Sequence, residues 1–240
     1  MGGASVFKRF EKKYLLSKEQ YGELMKASAA RLKSDDYGKY TIYNIYFDTP
    51  DFRLIRASIE KPVYKEKLRL RSYAVPTATS EVFVELKKKY KGVVYKRRVQ
   101  MSYREAYYYL MKDVHPFEDN QILKEIDWFK SFYHPQPAVT LSYRREAFKG
   151  LEDPTLRMTF DTDILWRRNS LDLKNGAYGS PILGEGVRLM ELKTSGAIPL
   201  WLCHILNGIE AFPTSFSKYG TCYTNMISEN RTQKGVFYCA

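Results

Sequence analysis

The sequence from Lys65 to Tyr73 reads KEKLRLRSY, in which a basic residue occupies every second position. In a β-strand, successive side chains point to opposite faces of the sheet. One face of such a strand would carry Lys65, Lys67, Arg69 and Arg71. Leu68 and Leu70 would lie on the other face. The alternation therefore predicts a strand with one charged face and one apolar face.

Two segments that follow repeat this pattern. EVFVELKKK covers residues 81–89, and VVYKRRV covers residues 93–99 after a turn at Gly92. We expect three neighbouring strands whose charged faces lie together. The residues that these two segments add to the charged face are Glu85, Lys87, Lys96 and Arg98. Lys88 and Arg97 are predicted to point to the opposite side.

The positive charge of the chain is concentrated in this region. The 240 residues have a formal net charge of +12. Residues 61–98 contain twelve Lys or Arg against three Glu, a net charge of +9. Such a local positive field is typical of proteins that bind a polyanion, for example nucleic acid, acidic lipid or phosphate. Because 44% of the residues are hydrophobic, the chain can also bury a sizeable core.

Cysteine content and hydropathy indicate the compartment. Cys203, Cys222 and Cys239 have no CxxC spacing, which argues against a disulfide framework and a zinc site. No apolar run reaches the eighteen or so residues that predict a membrane span, and the first residues do not resemble a signal peptide. We therefore expect a cytoplasmic protein with no membrane segment in this chain.

The remaining sequence predicts further strands and helices. Further strands are expected at 6–16, 40–49, 138–148, 156–164 and 187–194. Capping boxes predict helices that begin after Ser17 and after Ser102, the first running to about Leu32. Other helices are expected after Asn120 and at 199–209 and 218–227. Because no repeat or long linker divides the chain, residues 1–240 are predicted to form a single domain.

At least six of the predicted strands carry ionisable residues at alternate positions. In the later strands these residues are Arg145, Arg157, Asp161, Glu191 and Lys193. A closed barrel accommodates this pattern, because interior positions of a large barrel can surround a ligand. We therefore expect an α+β fold, a closed antiparallel β-barrel with a charged lumen and with helices packed outside.

The charged lumen indicates the class of ligand. Desolvated charges are costly unless they are paired or hydrated, so an empty lumen of like charges would be unstable. An oligophosphate would neutralise it, since phosphate oxygens match Arg guanidinium and Lys ammonium groups. The carboxylates would then serve as ligands for Mg²⁺ or Mn²⁺. Taken alone, however, KKKYK and KRR are more typical of a solvated edge or a nucleic-acid-binding patch.

Eight motifs occur in the order found in one known family. They are RFEKKYLL, KLRLRSY, VELKKK, YKRR, SYRREAF, LRMTFDTDI, MELKTSG and FSKYG. In this set the chain resembles the polyphosphate polymerase (VTC) domain of the triphosphate tunnel metalloenzymes, also called the CYTH superfamily. The resemblance implies an eight-stranded tunnel that transfers the γ-phosphate of ATP to a growing polyphosphate chain and releases ADP. It also implies a divalent metal, Mn²⁺ or Mg²⁺.

The resemblance implies site residues by matching position. The phosphate-binding residues would be Lys13, Arg69, Arg71, Lys87, Lys96, Arg145, Arg157, Ser217 and Lys218. Arg98 and Lys193 alternate with these residues and are included. The metal would be held by Glu191, assisted by Glu11 and Glu85. The predicted catalytic residues, which would align the phosphates and neutralise developing charge, are Arg69, Arg71, Arg145, Arg157 and Lys218.

Several alternatives stay open at this point. Related tunnel enzymes such as thiamine triphosphatases and class IV adenylate cyclases open with Glu-x-Glu-x-Lys, and Arg9 replaces the first Glu here, which favours the polymerase branch. A metal-dependent tripolyphosphatase and a non-catalytic polyphosphate or nucleic-acid binding protein are the alternatives. The expected partners are ATP and polyphosphate or triphosphate, without nucleic acid, and a membrane protein would be needed to translocate the product.

Asp161 and Asp163 are interpreted as caps of a turn at a strand end.

Overall fold

The computed structural model describes residues 10–91, 93–116 and 120–235. The strands are β1 (Phe10–Leu16), β2 (Leu32–Asp48), β3 (Tyr64–Ser72), β4 (Glu81–Tyr90), β5 (Val93–Ser102), β6 (Gln136–Gly150), β7 (Arg157–Arg167), β8 (Ser180–Pro181) and β9 (Arg188–Thr194). The helices are α1 (Lys18–Ser28), α2 (Arg53–Ile59), α3 (Tyr103–Met111), α4 (Gln121–Tyr133), α5 (Leu200–Gly208) and α6 (Lys218–Gly235). Arg9, Gly92 and Cys239 lie outside the described residues. Within the described ranges, no helix combines the length and the hydropathy that a membrane span requires.

The chain divides into two compact units. The first unit consists of the residues up to Thr41 together with Tyr143–Ile164 and Leu183–Phe216. The second unit consists of Ile42–Ser142, Leu165–Ile182 and the residues from Ser217 onward. The single domain expected from the sequence stays a prediction.

The first unit is built on three antiparallel strands. β1 pairs with β9, and β9 pairs with the first residues of β7. The register places Lys13 opposite Glu191 and Glu11 opposite Lys193. Apart from Lys12, the positions between these residues and beside them on the same face are mainly apolar, and they pack against α1 and α5 in a core that includes Tyr14, Leu16, Leu24, Met190, Leu192, Leu202 and Leu206. Burial of these residues leaves the ionisable side chains of β1 and β9 on the opposite face.

The second unit contains the three basic strands predicted from the sequence. The last residues of β2 pair with β3, β3 with β4, and β4 with β5, all antiparallel. The register aligns Arg69 with Glu85 and Glu85 with Arg98. The opposite face packs against α3 and α4 in a core that includes Leu68, Leu70, Val82, Val84, Leu86, Tyr109 and Phe129. The predicted division into a charged and an apolar face is thus confirmed.

Hydrogen bonding does not close the sheet among the described strands. The strand order is β1-β9-β7-β6-β2-β3-β4-β5, and β8 pairs with β7. β1 and β5 are therefore the two ends of this order. The α+β class with a large antiparallel sheet is confirmed, whereas the closed barrel is not.

The structure departs from the predicted elements most clearly between α1 and β3. α1 ends at Ser28, and β2 already begins at Leu32, so the first helix is shorter than predicted. α2 was not predicted, because its N-terminus is capped from the preceding strand. The carboxylate of Asp48 is fully buried and accepts hydrogen bonds from the backbone N–H groups of Leu54 and Ile55, at 2.9 and 3.0 Å. These bonds satisfy donors that a helix leaves unpaired at its first turn.

Candidate functional site

In the second unit, the charged face of β3, β4 and β5 forms a cluster around Glu85. We call Arg69, Arg71, Glu85, Lys96 and Arg98 the Glu85 cluster. The carboxylate of Glu85 contacts Nη2 of Arg69 at 2.6 Å and Nζ of Lys96 at 2.8 Å. Nε of Arg98 and Nε of Arg71 lie at 3.6 and 3.9 Å from its oxygens. Four cationic side chains thus converge on one carboxylate.

The environment keeps Glu85 ionised. Its residue surface is 1% exposed, and burial by itself raises the pKa of a carboxyl group. The charges of Arg69, Arg71 and Lys96 outweigh the burial and lower the pKa of Glu85 to about 2. Burial also lowers the pKa of Lys96, and the Glu85 carboxylate opposes that shift. With four cations against one anion, the cluster keeps an excess of positive charge and can attract an anion.

Two residues of β2 hold the arginines in place. Nε of Arg71 donates to Oδ1 of Asn44 at 2.9 Å, and Nη1 of Arg69 donates to the hydroxyl of Tyr46 at 3.1 Å. Asn44 in turn donates to the carbonyl of Leu141 at 3.0 Å. Sequence reasoning did not name Asn44 or Tyr46, although both lie in a strand that it predicted. These contacts fix the guanidinium groups before any ligand binds.

Lysines occupy neighbouring positions on the charged face of the same three strands. Lys67 lies opposite Lys87, and Lys87 lies opposite Lys96. Nζ of Lys67 donates to Oγ of Ser217 at 3.4 Å, and the same oxygen accepts from the backbone N–H of Gly220 at 3.2 Å. Ser217 therefore caps the start of α6. The sequence resemblance had implied instead that its hydroxyl binds phosphate. Its neighbour Lys218 is the first residue of α6 and is buried.

In the first unit, the charged face of β1 and β9 forms a second cluster around Glu191. We call Glu11, Lys13, Arg145, Asp161, Glu191 and Lys193 the Glu191 cluster. The carboxylate of Glu191 lies 3.2 Å from Nζ of Lys193, 3.5 Å from Nη2 of Arg145 and 3.7 Å from Nζ of Lys13. Glu11 contacts Lys13 at 3.7 Å and Lys193 at 4.0 Å. Three cations and three carboxylates make this cluster electrically balanced, unlike the Glu85 cluster.

Asp161 lies in a strand, as its alternation with Arg157 predicted, and does not cap a turn. It lies within β7, fully buried, and its two oxygens accept from Nε and Nη2 of Arg145 at 2.6 and 2.7 Å. The prediction that it caps a turn was wrong. Its predicted alternation with Arg157 along a strand is confirmed. This bidentate pair fixes the Arg145 guanidinium beside Glu191.

Arg157 is bound by an acidic residue that sequence reasoning did not identify. Its Nη2 donates to Oδ2 of Asp35 at 2.7 Å, and Nζ of Lys149 contacts Oδ1 of the same carboxylate at 3.1 Å. Asp35 is 4% exposed. The role of Arg157 in phosphate binding stays a prediction.

A divalent metal was expected at Glu191, Glu11 and Glu85. Throughout the described ranges, no three or more His, Cys, Asp or Glu side chains converge in a way that could hold a metal. Glu85 is enclosed by cations of the second unit, which suits an ionic anchor better than a metal ligand. Glu191 and Glu11 share Lys13 and Lys193 as partners. Mg²⁺ usually takes one or two carboxylates and completes its shell with water and substrate phosphates, so metal binding by Glu191 and Glu11 stays a prediction.

The opposite face of β4 and β5 carries the residues predicted to point outward. Nζ of Lys88 and Nε of Arg97 contact the carboxylate of Glu125 on α4 at 2.9 and 3.2 Å. Both cations thus lie on the helix-covered side of the sheet, away from the Glu85 cluster. They serve as matched control positions for the inward-facing lysines.

Comparison with known proteins finds a matching family and solved structures of similar fold. The family described as VTC domain matches residues 8–227, and a search of curated proteins finds no match. A "putative adenylate cyclase" from Bacillus halodurans is 17% identical, has a TM-score of 0.53, and the alignment covers 86% of this chain and 92% of that one. A "putative adenylyl cyclase" from Hippeastrum, described as having a dominant triphosphatase activity, is also 17% identical with a TM-score of 0.53, covering 91% and 96%. At these identities the similarity shows the fold alone.

Proposed function

Since this chain belongs to the VTC domain family, we propose that it is an ATP-dependent polyphosphate polymerase. It transfers the γ-phosphate of ATP to the end of a polyphosphate chain and releases ADP. The closed tunnel and the divalent metal implied by the sequence resemblance are parts of this proposal. The proposal also includes that the predicted phosphate-binding residues contact the substrate.

The observation that carries the proposal is the excess of cations in the Glu85 cluster. Arg69, Arg71, Lys96 and Arg98 surround one carboxylate, which leaves a net charge of +3. The guanidinium groups are already oriented by Asn44 and Tyr46, so binding a phosphate chain requires little reorganisation. Phosphoryl transfer depends mainly on positioning and on neutralising charge, which is what such a cluster supplies.

The Glu191 cluster supports the metal-dependent part of the proposal. Glu191 and Glu11 would hold Mn²⁺ or Mg²⁺, and the bound ion would neutralise phosphate charge and polarise the reacting phosphoryl group. Arg145, held by Asp161, would bind a phosphate oxygen of the substrate. Lys13 is fixed by donating to the carbonyl of Phe216 at 2.9 Å and would contribute a second positive charge.

The proposed nucleophile is the terminal phosphate oxygen of the acceptor chain. This oxygen is already ionised at neutral pH, so the reaction needs no general base. The two clusters agree with this requirement, because each of their carboxylates is already paired with a Lys or Arg side chain. The residues of this chain therefore align the donor and acceptor phosphates, while the acceptor itself provides the attacking group.

The test is to incubate the purified protein with ATP and Mn²⁺ and to separate the products on a polyacrylamide gel. We expect a ladder or smear of polyphosphate from the wild-type protein and none from Glu191→Ala. Glu23→Ala, at an exposed position of α1, is the control and should retain the product. Release of inorganic phosphate without chains would contradict the proposal.

A second candidate function is metal-dependent hydrolysis of tripolyphosphate. It is favoured by the fold similarity to the Hippeastrum protein, which is described as a dominant triphosphatase. Hydrolysis would need the same phosphate-binding residues but would use water as the acceptor. A non-catalytic polyphosphate binder would bind tripolyphosphate tightly and yield neither chains nor inorganic phosphate in the same assay.

A further inference from the structure

Five aromatic side chains of the second unit lie in two neighbouring groups, one on β3 and β4 and one on α4. The rings of Tyr64 and Tyr90 lie 6.4 Å apart across β3 and β4. On α4, Phe132 lies 4.7 Å from Tyr133 and is stacked on Trp128 at 5.0 Å. Nζ of Lys88 lies 3.8 Å from Oε1 of Glu66 on β3 and 2.9 Å from Oε2 of Glu125 on α4, so α4 lies against the face of β3 and β4 that carries Tyr64 and Tyr90. The aromatic strip consists of Tyr90, Tyr64, Tyr133, Phe132 and Trp128.

Most of the aromatic strip is exposed to solvent. The exposed fractions are 44% for Tyr64, 46% for Tyr90, 52% for Phe132 and 53% for Trp128. Exposed valines extend it at the end of the three strands. Val93 lies opposite Tyr90, and the carbonyl of Val63, which is 64% exposed, accepts from the N–H of Lys91 at 3.0 Å. A contiguous apolar surface of this kind marks an interaction site.

Basic side chains lie along the aromatic strip. The guanidinium of Arg53 lies 5.7 Å from the ring of Tyr133 and 6.0 Å from that of Phe132. Nζ of Lys91 lies 5.4 Å from the ring of Tyr90. Two acids beside the rings are held inside the protein. Glu66 is 2% exposed, and Glu125 is bound by Lys88 and Arg97.

We propose that the aromatic strip docks this protein on the surface of an anionic lipid bilayer. Tyr and Trp prefer the boundary between headgroups and acyl chains, because their rings are apolar and their polar atoms can stay hydrated. Arg53 and Lys91 complement the negative headgroups beside the rings. The strip combines both features on one surface and uses no residue of the Glu85 or Glu191 cluster. The inference therefore does not depend on the polymerase proposal.

The test is cosedimentation of the full chain with two kinds of vesicle. One contains phosphatidylcholine alone, and the other contains phosphatidylcholine with phosphatidylserine. The test variant combines Tyr64→Ser, Tyr90→Ser, Trp128→Ser and Phe132→Ser, which changes no charge. The control combines Tyr37→Ser and Phe212→Ser, at positions that are 77% and 68% exposed in the first unit. If the fourfold variant does not fold, Trp128→Ser alone takes its place.

We expect the wild-type protein and the control to bind the anionic vesicles. The fourfold variant should bind about tenfold or more weakly, because apolar side chains that enter the bilayer boundary are lost. Trp128 fluorescence should shift to shorter wavelength on binding, and the Trp128→Phe variant should lack this shift. Equal binding of wild type and variant to anionic vesicles would overturn the proposal, since charge alone would then account for it. A wild-type dimer that the fourfold variant abolishes, without vesicle binding, would overturn it in favour of a contact between two copies.

Discussion

Replacement of Glu85 by Gln removes the one carboxylate that neutralises the Glu85 cluster. Glu85 has a pKa of about 2 in the folded protein against an ordinary value of 4.5. A pKa difference of one corresponds to about 1.4 kcal/mol, so the ionised form contributes about 3 kcal/mol to the free energy of unfolding at neutral pH. Breaking a buried ion pair by removing one partner typically costs about 3–5 kcal/mol, which is consistent with this magnitude. We therefore expect Glu85→Gln to lower the free energy of unfolding by about 3 kcal/mol.

The pH dependence of stability provides an independent check on the role of Glu85. Because the folded pKa of Glu85 is depressed, its contribution is fully present above the unfolded pKa and is lost as pH falls from about 4.5 to about 2. The difference in stability between wild type and Glu85→Gln should therefore be largest at neutral pH and should shrink across that acid range. Urea denaturation followed by circular dichroism at several pH values measures both quantities.

Two further measurements sharpen this test. Glu23→Gln is the control, because Glu23 is exposed on α1 and should change stability by less than about 0.5 kcal/mol. Tripolyphosphate should stabilise Glu85→Gln more than wild type, since the anion replaces the missing negative charge. If Glu85→Gln unfolded at the same urea concentration as wild type throughout the pH range, Glu85 would not be an ionic anchor of this cluster.

Other substitutions test the remaining contacts. Asp48→Asn should destabilise the protein by about 1–3 kcal/mol, because one oxygen that accepts from backbone N–H groups of α2 is lost, and urea denaturation would show this. Lys96→Ala should weaken tripolyphosphate binding about tenfold, whereas Lys88→Ala, on the side facing α4, should change it less than about twofold. Calorimetric titration distinguishes the two, and equal losses in both variants would contradict the assignment of faces.

Sequence patterns predicted local structure well wherever the cause is local. Alternation along β3 placed Leu68 in the core and Arg69 on the charged face, because side chains in a strand alternate by geometry. The capping boxes at Ser17 and Ser102 were confirmed for the same reason, since each involves residues three positions apart. The VTC family assignment from ordered motifs was also confirmed.

Features that depend on distant partners were not predicted. Alternation placed Asp161 and Arg145 on charged strand faces, but it did not identify them as partners, because they lie sixteen residues apart on different strands. Asp35 and Arg157 are 122 residues apart, and nothing in either local sequence indicates the pairing. α2 was missed because its cap is supplied by Asp48 at the end of the preceding strand. The closed barrel was a conclusion about how strand ends meet, which alternation within strands does not determine.

For the site residues too, the sequence predicted the face of the sheet but not the partners. The sequence indicated that Glu85, Glu11 and Glu191 lie on charged faces, but it could not show which cations contact each of them. The structure shows Glu85 bound by Arg69 and Lys96, and these charges explain its low pKa. Whether each residue contacts phosphate stays a prediction.

The most direct test of the proposed polymerase activity is the fate of the γ-phosphate of ATP. Purified protein is supplied with ATP and Mn²⁺, and ADP, inorganic phosphate and chain phosphate are measured over time. Polymerase activity predicts one phosphate incorporated into chains for each ADP formed, with little inorganic phosphate. ADP formation matched by inorganic phosphate, with no chain phosphate, would show that water is the acceptor and would contradict the proposed polymerase.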